Sequence, residues 1–214
     1  MATPPPVTDT LARFVTATEY AAISPTTRAN AKLHILDTLG VALAGRDEPA
    51  AQIALDYCAK LGASQEASIW GTKSKASVST AAFANGLLSH ALDFDDWDAF
   101  IHAGHPSSML VGAALSLGEH IHASGEDLLK AYVLGIEVIC KLAANCPNVQ
   151  DRGFHSTPVW GSLGATVACA SLLKLDAAKL KAALGVAPSA AGGIHPQQGS
   201  MVEPFHARNG AGNR

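Results

Sequence analysis

Charge is scarce in this chain. Asp, Glu, Lys and Arg make up 15% of its 214 residues, well under the usual quarter. A surface so sparsely charged is expected to be covered in part by a partner or by further chain. The formal net charge of −3 leaves no basic footprint, which argues against nucleic acid as a partner. No basic cluster suggests an anionic membrane surface either. Long apolar runs are missing as well. The most membrane-like stretch, Met109 to Gly118, is far too short to span a bilayer. The first six residues, Met-Ala-Thr-Pro-Pro-Pro, lack the basic and apolar regions of a secretory signal. Cysteine is limited to Cys58, Cys140, Cys146 and Cys169. None forms a C-x-x-C pair, which excludes zinc-ribbon and thioredoxin readings, and Cys58, Cys140 and Cys169 read as buried reduced thiols in apolar helical patterns. These absences together predict a soluble, cytoplasmic protein that neither spans nor coats a membrane.

What is abundant is apolar surface in helical rhythm. Residues of the A, V, I, L, M, F, W, Y and C types make up 48% of the chain. The spacing predicts helices over Val7–Thr18, from Ser24-Pro25 to Gly45, from Glu48-Pro49 to Leu61, and over Ser79–Leu92 and Pro106–Ile121. Further helices are expected from Ser124 to Ala143, over Val159–Leu173 and over Asp176–Leu184. Ser24, Ser124 and Asp176 read as N-caps, and Pro25 suits the first helical position. Extended structure is expected only near Ala67–Gly71, ahead of a Lys/Ser turn region. The fold class is all-α. Its organisation is a disordered tail over 1–6, one helical domain over 7–208 and an irregular chain end over 209–214.

Four carboxylates and three histidines fall in the sixteen positions from His90 to His105: Asp93, Asp95, Asp96, Asp98, His90, His102 and His105. Charges crowd like this only where water, a metal or chemistry compensates them. An exposed acidic turn capping the next helix is one reading. In it, His90 lies one turn before Asp93 and is placed to hydrogen-bond it. An EF-hand fails, because counting from Asp93 puts Asp98 where glycine is needed and Gly104 where glutamate is needed. His90 with Asp93, and His102 with His105, form a conceivable two-metal hydrolase centre. His120 and His122 sit at a helix end, where an imidazolium relieves the dipole. In His105-Pro106-Ser107-Ser108 the proline fixes the helix start and holds the histidine extended. That helix mouth favours an anion such as a carboxylate. Two more segments repeat the theme: Arg152-Gly-Phe-His155-Ser-Thr157-Pro, and Gly199-Ser200-Met-Val-Glu203-Pro-Phe-His206. Spacing alone does not say whether the three meet.

These segments resemble the MmgE/PrpD family, which includes 2-methylcitrate dehydratase, cis-aconitate decarboxylase and an iminodisuccinate epimerase. Leu36-Asp-Thr-Leu-Gly40 with Ala42-Leu-Ala-Gly45 is similar to its early helix. Asn85-Gly86 with His90-Ala-Leu-Asp93-Phe-Asp-Asp96 is similar to its acidic motif. His105-Pro-Ser107 and Gly153-Phe-His155-Ser-Thr157 resemble its two histidine segments, and Gly185 to Gly192 and Gly199-Ser-Met201 also fit. The resemblance implies a large helical domain joined to a smaller α/β lid, a homodimer, and chemistry on small di- or tricarboxylates without a cofactor. It carries over Asp93, His105 and His155 as catalytic residues. His105 or His155 would move protons and Asp93 would orient them, with acid and base unassigned. Asp96, Ser107, Arg152, Thr157, Ser200 and His206 are the expected substrate-binding residues, and no residue is assigned to a metal.

The function so implied is a hydro-lyase of the 2-methylcitrate dehydratase type. The alternatives are a decarboxylase or epimerase of the same family, a non-catalytic helical remnant, or the metal hydrolase. Glu203 stands where the family usually has a lysine, and it would repel a substrate carboxylate. The chain stops at Arg214, ahead of the family's lid. It is therefore expected to be incomplete, inactive alone, and to bare apolar surface on Leu129–Ala143 or Val159–Leu173.

Overall fold

The computed structural model describes residues 6–62, 64–98 and 100–211. The expected disordered tail lies outside them except for Pro6, and so do positions 212–214 of the expected irregular end. Among the described residues are nine α-helices and one short hairpin. The helices are α1 Val7–Ala17, α2 Pro25–Ala44, α3 Pro49–Lys60, α4 Val78–His90, α5 Pro106–His120, α6 Gly125–Asn145, α7 Ser156–Leu172, α8 Ala177–Ala190 and α9 Glu203–Ala211. The fold is all-α, as the apolar spacing predicts.

Local chemistry sets most boundaries. Ser24, Ser124 and Asp176 cap α2, α6 and α8, accepting the backbone N–H groups of Thr27, Asp127 and Lys179. Pro25 and Pro106 occupy first turns, where a missing N–H costs nothing. Four boundaries move. Ser77, not Ser79, opens α4, because its hydroxyl accepts the N–H of Thr80. Helix α7 begins at Ser156 instead of Val159, since Pro158 fits a first turn. Helix α8 continues beyond Leu184 through Gly185 and Pro188, and its buried Ala187 shows that packing outweighs these two breakers. Helix α9 runs to Ala211, where irregular chain is expected from 209, because it packs against α4 and α7. The Lys/Ser region also holds a strand. Strand β1, Ala67–Ser68, pairs antiparallel with β2, Lys75–Ala76.

Helix α5 runs through the centre, with Met109, Leu110, Val111, Ala113 and Ala114 buried. It packs on α4, α6 and α7, and α9 lies across α4 and α7. Small residues permit the close approach: a Cβ at Gly112 would stand 2.9 Å from the backbone nitrogen of Gly86 on α4. This central packing also corrects the expected bare surface. Helices α6 and α7 are largely covered, with Leu134, Val138, Ile139, Val167 and Ala168 buried. Leu173, just past the end of α7, is exposed, and many exposed apolar side chains lie elsewhere, among them Leu33, Leu36 and Leu43 on α2, Ile53 and Tyr57 on α3, and Phe94, Trp97 and Phe100 in the loop before α5. Among the described residues no helix is long and apolar enough to cross a membrane. The four cysteines are free thiols.

Candidate active site

Three helix ends and α9 meet beside α5. His90 is the last residue of α4, His105 precedes the first turn of α5, His155 precedes that of α7, and His206 lies on α9. The loop before α5 is organised by Asp98, whose carboxylate accepts the N–H groups of Phe100, Ile101 and Ala103. Gly104 then turns with φ +77°, so close to α7 that a Cβ would come within 2.5 Å of Thr157 Oγ1. The same hydroxyl accepts the N–H of His105 at 3.0 Å. One threonine thereby joins the mouths of α5 and α7. The His155 N–H donates to the carbonyl of Gly193 at 3.1 Å, which ties α7 to the segment before α9.

The four carboxylates of the acidic run have four different environments, which explains how they tolerate one another. Asp95 is buried, with Oδ1 2.9 Å from His90 Nδ1 and 3.3 Å from His105 Nδ1. The first contact is a hydrogen bond; the second is an electrostatic contact too poorly aligned to be one. Asp93 is largely exposed, adopts φ +50°, and places Oδ1 3.3 Å from His105 Nε2. Asp96 accepts both the N–H and the hydroxyl of Ser107 and so caps α5. Asp98 holds the loop. The expected His90–Asp93 bond is therefore a His90–Asp95 bond. Helix α4 ends at His90, and the left-handed turn at Asp93 points that carboxylate to His105 instead.

The histidines form a chain. Ring centroids are 4.7 Å apart for His90 and His105, 6.2 Å for His90 and His155, and 5.4 Å for His155 and His206. His155 and His206 share a proton between their Nδ1 atoms at 3.2 Å. Glu203 is buried 4.0 Å from His155 Nε2, and its other oxygen accepts the N–H of Gly199. His90 Nε2 and His155 Nε2 are buried without a hydrogen-bond partner. A buried polar atom left that way costs about 1–3 kcal/mol, so such atoms point to a site and not to a core.

Electrostatics separates the two central histidines. Burial opposes a charge on His105, but the Asp95 carboxylate, helped by Asp93 and Asp96, overrides it and raises its pKa. Burial pushes His155 down to about 3, and the neighbouring His90 and His206 add to the shift. Burial also lowers His206 against the pull of Glu203. Burial alone would raise Asp95, yet His105 and His90 hold it well below the usual carboxylate range. One histidine is thus pushed towards its charged form and another towards its neutral form within a single cluster, the pattern by which acid and base roles separate.

Of the residues expected from sequence, the structure gathers Asp93, His105, His155, Thr157 and His206 into this cluster, with Asp96 and Ser107 on its α5 side. Arg152 and Ser200 are exposed. The Ser200 hydroxyl donates to the carbonyl of Gln197, which shapes the turn before α9. Sequence reasoning missed three members of the site. In the sequence Asp95 is one acid among four, His90 is read only as a partner of Asp93, and Glu203 is a hostile charge; burial, which spacing does not report, brings them in. Next to Asp96 a cavity of about 390 Å³ opens, lined in part by His34, Trp97, Pro106, Tyr132 and Cys140. Neither His105 nor His155 lines it. In the two-metal reading His102 was a ligand; it is exposed, and Asp95 takes the place beside His90, Asp93 and His105.

A family model described as the MmgE/PrpD N-terminal domain matches residues 9–214. The chain is 34% identical over 188 residues to a cis-aconitate decarboxylase of Homo sapiens, an alignment covering 84% of this chain and 38% of that protein. A cis-aconitate decarboxylase of Mus musculus is 32% identical over the same coverage. A cis-aconitate decarboxylase-like protein, oryM, of Aspergillus oryzae is 29% identical over 218 residues, 95% of this chain and 45% of that protein. The chain thus spans 38% to 45% of the length of these relatives.

Proposed function

The chain belongs to the MmgE/PrpD family, and from that premise we propose that it is the helical part of a lyase that moves protons on a small di- or tricarboxylate. The observation that carries the proposal is the opposed setting of His105, between the carboxylates of Asp93 and Asp95, and His155, buried among other histidines, which shifts their pKa values in opposite directions. His105, held protonated by Asp95 and Asp93, is the general acid. His155, held neutral, is the general base, with His206 at its far nitrogen to take up the proton it gains. An anionic substrate entering the cluster would raise the basicity of His155 towards a useful value, because opposite charge favours the protonated ring. Asp93 and Asp95 orient His105, and Thr157 fixes its backbone. No cofactor is needed for this chemistry.

Within the family, the names of the relatives favour decarboxylation of cis-aconitate over dehydration of 2-methylcitrate; epimerisation uses the same acid and base. A homodimer and a cytoplasmic location are parts of the proposal. The exposed apolar side chains of α2 and α3 support the dimer. The test is to give the purified protein cis-aconitate and 2-methylcitrate separately, following carbon dioxide from the first and the new double bond from the second. Turnover of either supports the lyase. Absence of both turnover and calorimetric binding for both compounds in the folded protein would overturn it.

A further inference from the structure

Glu203 and two unpartnered imidazole nitrogens, His90 Nε2 and His155 Nε2, face the same point. His90 Nε2, His155 Nε2 and a Glu203 carboxylate oxygen all lie within 4.8 Å of one another, on three side chains that are all buried. Two of the three donor atoms, His90 Nε2 and His155 Nε2, have no hydrogen-bond partner. Each donor is also held from behind. His90 Nδ1 is bonded to Asp95 Oδ1 at 2.9 Å, His155 Nδ1 to His206 Nδ1 at 3.2 Å, and the second Glu203 oxygen to the Gly199 N–H. When His90 donates its Nδ1–H to Asp95, its Nε2 carries the free lone pair. That carboxylate–histidine arrangement is the one that orients imidazoles towards metals.

We propose that His90, His155 and Glu203 form a binding site for one divalent transition-metal cation of the zinc class, with a fourth position open. Two histidines and one glutamate with an open position is a donor set that zinc accepts in a tetrahedral site. Bonds of about 2.0–2.2 Å put tetrahedral ligand atoms roughly 3.3–3.5 Å apart. His155 Nε2 and Glu203 Oε1 now stand 4.0 Å apart, so the three side chains need to draw in by roughly an ångström. The neighbouring group of His90, Asp93, Asp95 and His105 is the weaker candidate. Its Asp93 is largely exposed, and the near oxygen of Asp95 is already taken by His90. The proposal does not rest on the lyase reading. A cation here occupies the lone pair assigned to His155 as base, so the two uses exclude each other and the metal would act as a brake on proton transfer.

The test uses the full chain, stripped with a chelator and titrated with Zn²⁺ against a chromophoric chelator, then with Co²⁺ for its visible bands. One equivalent bound, with the absorption of four-coordinate cobalt, is the expected result. Glu203→Gln, which preserves shape, should weaken binding at least about tenfold, while Asp93→Asn should leave it within about twofold. Circular dichroism and melting of each variant, taken alongside, report whether it is folded. The proposal is overturned by wild-type protein that takes up no stoichiometric metal. It is equally overturned if folded Glu203→Gln binds as tightly as wild type, or if Asp93→Asn is the variant that loses the metal.

Discussion

Asp95 and Glu203 are the two buried carboxylates of the site, and they act on different histidines. Asp95 favours the charged form of His105 and orients His90, while Glu203 sits against His155 where the sequence resemblance leads one to expect lysine. Replacing Glu203 by Lys turns a repulsive group into an attractive one next to the proposed substrate position. Calorimetry with cis-aconitate should show Glu203→Lys tightening binding by about tenfold or more, roughly 1.4 kcal/mol; unchanged or weaker binding would disconnect Glu203 from the substrate. His155 supplies a pH signature. Its folded pKa, about 3, lies below the ordinary 6.5, so between those values the unfolded chain binds a proton that the folded one refuses. Stability is therefore full above about pH 6.5 and falls with acidification towards pH 3, by up to about 1.4 kcal/mol per pH unit for this one proton. Urea melts of chelator-treated protein at pH 7 and pH 5 should show that loss, and His155→Gln should reduce it. An identical pH slope in the variant would place the acid sensitivity elsewhere.

At the scale of elements, the contact between the loop before α5 and the mouth of α7 leaves no room to spare. Gly104 has both a positive φ and no room for a Cβ against Thr157. Gly104→Ala should cost about 1–3 kcal/mol in a denaturant melt and break the bond from the His105 N–H to Thr157. If the protein accepts alanine at no cost, the packing between α5 and α7 is looser than described. Asp96 makes a second element-level prediction. Its carboxylate caps α5 and accepts the Ser107 hydroxyl, which also bonds the buried Tyr132 hydroxyl. Asp96→Ala should therefore lower stability by about 1–2 kcal/mol, the range for losing a helix cap. A loss below half that value would mean that water replaces the carboxylate.

At the scale of the molecule, α2 and α3 each carry several bare apolar side chains. Leu33, Leu36 and Leu43 each expose more than half of their surface, an arrangement that monomeric proteins seldom tolerate as a patch. The purified chain should associate in light scattering and bind a hydrophobic dye, and the triple change of these leucines to glutamine should reduce both. A wild-type chain that stays monomeric and dye-free would mean that water covers this face unaided.

The sequence by itself determined the helices and their caps. Apolar spacing and residues such as Ser24, Ser124 and Asp176 act within a few positions, and local hydrogen bonds need no distant partner. It also marked His105, His155 and Asp93 through ordered motifs. Only the tertiary structure decided that His90 turns to Asp95, that Glu203 is buried against His155, and that α8 and α9 continue through residues that would end an isolated helix. It also decided that α6 and α7 are largely covered while α2 and α3 keep bare apolar side chains. Each of these depends on burial against an element far away in the chain. Burial sets both the cost of a charge and the value of a contact, and no pattern of neighbouring letters encodes it.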